Sequence, residues 1–223
     1  MIPRFFTIFI LITFAVNCSS MESYDICRDG HEKARKGSFE TAFELLTKCL
    51  NISKLSDTEK AEVYKSRAWA LYSLNKSSLA VQDQEAAFEL VKPSKYNELI
   101  NYASYLREVK RYKDSLSPLY EAVKLDDASG HVSMMTQYNI GWSLSETGKY
   151  NEAINAFTKA IPSQPDFPFV YWRRGKAYHA LGMKAEAKTD FLNYAKLLKN
   201  SKMKVPPLWR EEINNLLSQY NLK

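Results

Sequence analysis

The stretch "QYNIGWSLSETGKYNEAINAFTKAIPSQP" at residues 137–165 shares its pattern with "YWRRGKAYHALGMKAEAKTDFLNYAKLLKN" at residues 171–200. Four pairs of identical residues lie 34 positions apart: Gly141 and Gly175, Gly148 and Gly182, Ala153 and Ala187, and Phe157 and Phe191. Because four matches in one register are very improbable by chance, they indicate an internal repeat of 34 residues. A repeat of this length predicts stacked copies of one structural unit.

Three weaker copies precede these two, beginning near Ser23, Ala61 and Tyr96. Altogether the pattern predicts five units, near residues 23–56, 61–94, 96–129, 134–167 and 168–201, which form one domain over residues 23–201. The second unit has Tyr64, Ala68 and Leu71 in register, and the third has an exit loop lengthened by four residues around "ASGH". A single unit cannot bury its apolar face alone, so the copies must stack on one another.

The two stronger copies resemble the tetratricopeptide-repeat (TPR) family in both period and residue pattern. The residues that carry the resemblance in the first are Ile140, Gly141, Leu144, Gly148, Tyr150, Ala153, Phe157, Ala160 and Pro165. In the second they are Tyr171, Gly175, Tyr178, Gly182, Ala187 and Phe191, whereas Lys184, Tyr194 and Lys199 depart from the pattern. The resemblance implies an all-α fold, an α-α superhelical solenoid of about five TPR units.

Packing explains the pattern. Small residues at the eighth and twentieth places of each unit let two antiparallel helices approach, and large residues at the fourth, seventh, eleventh and twenty-fourth places fill the remaining space. The glycine before the second helix is expected in a turn conformation that other residues adopt at a higher energy. After "KVPP", a helix from about Pro207 places Trp209, Ile213, Leu216, Leu217 and Tyr220 on one stripe. Residues 206–223 are therefore predicted to cap the last unit, or alternatively to dock a partner.

Composition and motifs argue against several functions. The net charge of +6 is spread along the chain, and basic residues alternate with acidic ones, which favours a solvated surface over a nucleic-acid site. The three histidines, His31, His131 and His179, are scattered, and none has a second ligand at metal spacing. The sequence contains no G-x-S-x-G, H-E-x-x-H or glycine-rich phosphate loop. We therefore predict no enzymatic activity, no metal and no cofactor.

Residues 1–20 are predicted to be a signal peptide. The apolar run Phe5–Val16 follows one arginine, and as a helix it would rise about 18 Å, short of the roughly 30 Å hydrocarbon core. In one interpretation "FAVNC" resembles a bacterial lipobox, so that cleavage before Cys18 leaves this cysteine lipidated, although Ala15 and Asn17 match that pattern loosely. In the other, a general signal peptidase cuts after Ser20. Either way, an exported protein is expected.

The two remaining cysteines, Cys27 and Cys49, stay in the mature chain under both interpretations. An even number of cysteines in an exported protein makes the pair a disulfide candidate, because such compartments are oxidising. The alternative is two buried free thiols that fill helix interfaces.

The TPR resemblance also implies a concave wall, lined by the first helix of each unit, that holds a peptide or protein. The main residues at the places that face this groove are Lys65, Trp69, Tyr72, Asn101, Arg107, Tyr138, Asn139, Trp142, Trp172, Arg173 and Lys176. Tryptophan, tyrosine and arginine often dominate binding energy. By the resemblance, an asparagine at the sixth place, as in Asn101 and Asn139, can bond a peptide backbone.

The sequence thus predicts a non-enzymatic interaction scaffold or adaptor in the cell envelope. If Cys18 is acylated, the protein is expected at the outer membrane or the periplasmic face, anchored by its lipid. The alternative is a secreted, unlipidated repeat protein that acts on a foreign host partner. The alternative to partner binding is that the wall's aromatic residues pack against neighbouring units, or that a terminal helix fills the groove.

Overall fold

The computed structural model describes residues 24–52, 54–127, 133–201, 203–205 and 207–222. Within these ranges the chain forms eleven α-helices and contains no strand. The helices are α1 (residues 24–35), α2 (Phe39–Ile52), α3 (Asp57–Ser73), α4 (Ser77–Leu90), α5 (Tyr96–Glu108), α6 (Leu116–Asp127), α7 (Met134–Glu146), α8 (Tyr150–Ala160), α9 (Pro168–Ala180), α10 (Lys184–Asn200) and α11 (Pro207–Gln219). A 3₁₀ turn at Ile161–Ser163 follows α8. The predicted all-α repeat fold is confirmed.

The predicted signal peptide and its Cys18 lie outside the described residues. Among the described helices, none combines the length and apolarity that crossing a membrane requires.

Consecutive helices pair through tight turns. Gly148 and Gly182 adopt the left-handed conformation, with φ of 79° and 75°, at the turns after α7 and α9. This conformation strains residues that carry a Cβ atom, so the predicted role of these glycines is confirmed. At the turns after α3 and α5 the same conformation is taken by Asn75 and Lys110, with φ of 59° and 61°. The second and third copies therefore keep the turn without the glycine that marks it in the sequence, whereas the first copy has Gly37 there, with φ of 79°.

The paired helices approach closely where the repeat places glycine opposite a large side chain. A Cβ atom at Gly141 would lie 2.6 Å from Phe157, and one at Gly175 would lie 2.7 Å from Phe191. Real Cβ atoms do not come that close to carbon atoms, so the phenylalanine rings occupy the space that glycine leaves open. The predicted close approach of the helices at the small residue of the eighth place is confirmed in both pairs, and the large residue of the twenty-fourth place fills the space there.

Helix α3 begins at Asp57, four residues before the predicted start of the second unit at Ala61. The cause is a capping box: the Ser56 backbone N–H donates to Glu59 Oε2 at 2.8 Å, and the Glu59 N–H donates to Ser56 Oγ at 3.3 Å. The S-x-x-E signature in "SDTE" could have located this start.

In each of two helix pairs, an ion pair connects the two helices. The sequence interpretation treated these residues as ordinary surface charges. Arg67 on α3 donates twice to Asp83 on α4, and Arg174 on α9 donates twice to Asp190 on α10. All four distances are 2.7–2.8 Å. Both aspartates are buried, and both arginines also bond a threonine of the preceding helix pair. These bidentate contacts fix the angle between the paired helices.

The described helices form two compact units, one ending at Pro93 and one beginning at Ser94. In the amino-terminal unit, α1, α2 and α3 enclose a core that includes Leu46, Val63 and a disulfide between Cys27 and Cys49. The disulfide connects α1 to α2, with the two Cα atoms 5.1 Å apart. The candidate bridge is thus present in the structure, and closing its loop stabilises the unit by about 3 kcal/mol on a chain-entropy estimate.

In the carboxy-terminal unit, the core between α9 and α10 is built on Trp172, Phe191 and Tyr194. Helix α11 contributes the buried Ile213 to this core. The other residues of its predicted apolar stripe, Trp209, Leu216, Leu217 and Tyr220, pack against the same core. Helix α11 therefore covers the apolar face that the last helix pair would otherwise expose.

Candidate binding surface

In the amino-terminal unit, α3 presents three of the predicted wall residues on one face. Lys65, Trp69 and Tyr72 follow one another at intervals of four and three residues, which places them side by side on a helix. The Trp69 side chain is 41% exposed. Lys65 forms an ion pair with Glu62 at 2.9 Å, and its side chain is 15% exposed. The register prediction therefore brings these residues together on one face of α3, where Trp69 is exposed and Lys65 and Tyr72 are half-buried.

Trp69 is open to solvent but held in place. Its ring meets the edge of Phe39 from α2 at a centroid distance of 6.3 Å and stacks on Tyr72 at 6.1 Å. These three residues form a surface that we name the aromatic face. Because ring–ring contacts limit its rotamers, the indole loses little conformational freedom when a partner contacts it. Sequence reasoning missed Phe39, which lies on the second helix of its pair.

Helix α1 packs beside α3 through a polar contact. His31 Nδ1 lies 2.7 Å from Ser66 Oγ, one residue after Lys65. Burial lowers the pKa of His31, with a smaller opposite effect from Glu62. The imidazole is therefore neutral at physiological pH, and it orients α1 without adding charge beside the aromatic face.

In the carboxy-terminal unit, Trp142 on α7 is covered by other side chains. The guanidinium groups of Arg107 and Arg173 lie 4.7 and 3.3 Å from its ring centroid, and Trp209 of α11 meets its ring edge-on at 5.9 Å. We name these four residues the arginine–tryptophan stack. Cation–π attraction of this kind is strengthened when the groups are desolvated, and each arginine is only 7% exposed.

Hydrogen bonds complete the stack. Arg173 Nε donates to the Tyr138 hydroxyl at 3.1 Å, and its Nη1 lies 3.5 Å from Glu146. The Trp142 indole N–H donates to the same carboxylate at 3.2 Å. Three of the predicted wall residues, Tyr138, Trp142 and Arg173, are therefore engaged within the unit instead of being presented to a partner.

Helix α11 also engages most of the remaining predicted wall of the last pair. Lys176 pairs with Glu212, and His179 Nδ1 lies 2.7 Å from the Tyr220 hydroxyl. A pocket of about 270 Å³ remains beside them, lined by Glu146 and Glu212 as well as by the cationic side chains. Arg173 and Lys176 were predicted to line the wall, but α7 and α11 already supply the carboxylates that pair with them. The alternative that a terminal helix fills the groove therefore holds at these residues, where Trp209 and Glu212 of α11 contact Trp142 and Lys176.

Trp172 is a core residue. Its side chain is 2% exposed, and its ring lies 5.2 Å from Phe191 and 5.3 Å from Tyr194. The prediction that it lines the wall is wrong, because the indole turns between α9 and α10 instead of outward.

The two asparagines at the sixth place also differ. Asn101 is exposed, whereas Asn139 is 4% exposed and donates its amide to the Met135 carbonyl of its own helix at 2.8 Å. The predicted bond from Asn139 to a peptide backbone is therefore wrong for this structure. Asn101 remains accessible.

Family models for tetratricopeptide repeats match two overlapping segments. One, described as "TPR repeat", covers residues 143–182, and another, described as "Tetratricopeptide repeat", covers residues 170–197. A curated relative, "DnaJ homolog subfamily C member 7 homolog" of Dictyostelium discoideum, is 26% identical over 105 residues. That match spans 47% of this chain but 19% of the relative.

Solved structures show the same fold. A crystal structure of the MamA protein has a TM-score of 0.66 at 20% identity, covering 85% of this chain and 98% of that one. A double mutant of MamA RS-1 has a TM-score of 0.69 at 19% identity, covering 81% and 96%. At such identities the likeness shows the fold alone. Together with the glycine turns and the 34-residue register, the family-model matches show that residues 143–197 consist of tetratricopeptide repeats.

Proposed function

We propose that the protein is a non-enzymatic interaction scaffold that holds an extended segment of a protein partner on the aromatic face. The observation that carries the proposal is the exposed Trp69, ordered by Phe39 and Tyr72. Tetratricopeptide repeats commonly use the first helix of each pair in this way, and α3 is such a helix. Rigid aromatic anchors of this kind supply much of the energy in protein interfaces.

A comparison of two tryptophans favours the aromatic face over the arginine–tryptophan stack. Trp69 and Trp142 both occupy the ninth place of their predicted units. Trp142 already has Arg107, Arg173 and Trp209 against its ring, so a partner would have to displace them. A partner of Trp69 displaces only water from the exposed part of the indole, which favours binding.

The expected chemistry of the partner follows from the surface. The rings of Trp69 and Tyr72 match apolar or aromatic side chains, which bury area without needing hydrogen-bond partners. An extended segment would place alternate side chains against the aromatic face. Its backbone would then be available for hydrogen bonds with polar groups along α3.

Trp69→Ala is expected to abolish recovery of the partner when the purified protein is used as bait in an envelope extract. Loss of a central aromatic anchor typically weakens binding by about 2 kcal/mol or more, which corresponds to about thirtyfold in Kd. Leu79→Ala is the matched control, because Leu79 is 45% exposed in the same unit but lies on α4. Circular dichroism checks that both variants keep the helical signal.

The proposal for the aromatic face fails if Trp69→Ala recovers the same proteins as the unchanged chain. It also fails if Leu79→Ala reduces recovery of these proteins as much as Trp69→Ala does, because the loss of binding would then not be specific to α3.

For location, we propose an exported protein anchored in the cell envelope through lipid on Cys18. The apolar run at residues 5–16 and the cysteine that follows it support this, although both lie outside the described residues. The disulfide between Cys27 and Cys49 is in keeping with an oxidising compartment.

Metabolic labelling with a fatty acid tests the anchor. Label is expected on the unchanged chain and not on Cys18→Ser. An unlabelled chain whose mature amino terminus is Met21 would instead support cleavage after Ser20 and a secreted protein acting on a foreign partner.

A further inference from the structure

A pocket between α10 and α11 lies apart from the aromatic face and the arginine–tryptophan stack. Its volume is about 570 Å³, within the usual range of small-molecule sites of roughly 300–1,000 Å³. We name it the α10–α11 pocket. Its apolar lining comes mainly from Leu198, Val205, Ile213, Leu217 and Leu222.

Two residues that depart from the repeat pattern line this pocket. Tyr194 and Lys199 stand 34 residues after Ala160 and Pro165, the corresponding residues of the preceding helix pair. Ala160 is fully buried, so its place in the repeat is a core position. The last pair therefore carries a phenol and an amine at places where the pattern has a small residue and a proline. Packing uses the Tyr194 ring, which contacts Trp172, but it does not call for the hydroxyl of Tyr194 or the amine of Lys199.

The Tyr194 hydroxyl is a buried polar group with no hydrogen-bond partner among the described residues. Burial raises the pKa of Tyr194 to about 12, so the hydroxyl keeps its proton at physiological pH and is available as a donor. A buried hydroxyl without a partner is unfavourable, and an acceptor atom of a ligand would remove this penalty.

The charges around the pocket have one sign. Lys199, Lys204 and Arg210 line it, and no carboxylate is among its lining residues within the described part of the chain. Arg210 Nε makes one long contact, 3.4 Å, to the Val205 carbonyl. This differs from the pocket at Lys176, where Glu146 and Glu212 neutralise the basic groups. The α10–α11 pocket thus combines an apolar wall with basic side chains, and none of its described lining residues is a carboxylate that would neutralise them.

We infer that the α10–α11 pocket binds a long-chain monocarboxylate, a free fatty acid, with its alkyl chain on the apolar wall and its carboxylate among Lys199, Lys204 and Arg210. Charge complementarity selects an anion, and the leucine-rich wall selects an alkyl chain. The Tyr194 hydroxyl supplies a further donor to the carboxylate. A single chain is favoured over a two-chain lipid because the pocket has the volume of a small-molecule site.

Calorimetric titration of the full mature chain tests the inference with three ligands of equal chain length, all below their micellar concentrations. Dodecanoate is expected to bind one site. Methyl dodecanoate and dodecyltrimethylammonium are expected to bind at least tenfold more weakly, because the first lacks the charge and the second reverses it. Equal affinity for all three would overturn the inference, since binding would then be unspecific apolar adsorption.

Variants locate the site. Lys204→Glu combined with Arg210→Glu is expected to weaken dodecanoate binding at least tenfold, whereas Lys188→Glu, exposed on α10 outside the pocket, should leave it unchanged. Tyr194→Phe keeps the ring and removes the donor, so it should weaken binding several-fold while the protein stays folded. Unchanged binding in the double variant would overturn the inference.

Sedimentation with phosphatidylglycerol vesicles tests whether the basic residues bind a lipid surface instead of a free fatty acid. If the chain sediments with them in a manner lost in the double variant, but does not bind dodecanoate, the basic rim serves an anionic lipid surface and the inference is wrong.

Discussion

Replacing Trp172 by alanine is expected to lower the free energy of unfolding of the carboxy-terminal unit by about 3–5 kcal/mol, as removal of a buried tryptophan typically does. The indole is 2% exposed and contacts the rings of Phe191 and Tyr194 between α9 and α10. Truncation leaves a cavity that these rings cannot fill without leaving their own contacts. Urea denaturation followed by circular dichroism measures the change.

Trp69→Ala is the matched control for this result, because it removes the same side chain from an exposed position. Its effect on the free energy of unfolding is expected to stay below about 2 kcal/mol, as for most substitutions outside the core. Equal destabilisation by the two variants would contradict the assignment of Trp172 to the core and Trp69 to the surface.

Asp190→Ala is expected to destabilise the same unit by about 3–5 kcal/mol, because it leaves the guanidinium of Arg174 partly buried without its carboxylate. The two side chains are 16% and 3% exposed, and both nitrogens of the bidentate contact lose their acceptor. The measurement is again urea denaturation followed by circular dichroism.

The double variant Arg174→Leu with Asp190→Leu separates an unpaired charge from lost packing. Replacing both charges by apolar groups should recover much of the stability that Asp190→Ala loses. If the double variant is as unstable as the sum of its single variants, the two side chains do not act as a pair.

The spacing of the repeat predicted those parts of the fold in which the backbones of two paired helices lie close together. The contacts of Gly141 with Phe157 and of Gly175 with Phe191 follow from one rule, because a helix pair that packs this closely tolerates no side chain at the eighth place. The turns at Asn75 and Lys110 were harder to find, because residues other than glycine take the left-handed conformation there.

The candidate surface was predicted less well, because register assigns a residue to a helix face but not to the neighbour that covers it. Trp69 and Trp142 share a place in the repeat, yet Trp209 from α11, 67 residues later in the chain, reaches only Trp142. Which of the two is exposed depends on how α11 docks, and no local pattern encodes this.

The ion pairs could not be predicted from charge pattern alone. Arg174 and Asp190 lie 16 residues apart on different helices, so neither belongs to the i,i+3 or i,i+4 pairs that a sequence reveals. Their recurrence as Arg67 and Asp83, at the same places of another unit, was the one available signal.

Site-specific photocrosslinking tests most directly whether the protein binds its partner on the aromatic face. A photoreactive phenylalanine derivative is placed at Trp69 in one variant and at Leu79 in another, and both are irradiated in cells. We predict a crosslinked protein partner at position 69 and none at position 79. Crosslinks of equal yield at both positions, or none at position 69 in cells where the unchanged protein recovers its partner, would contradict the account.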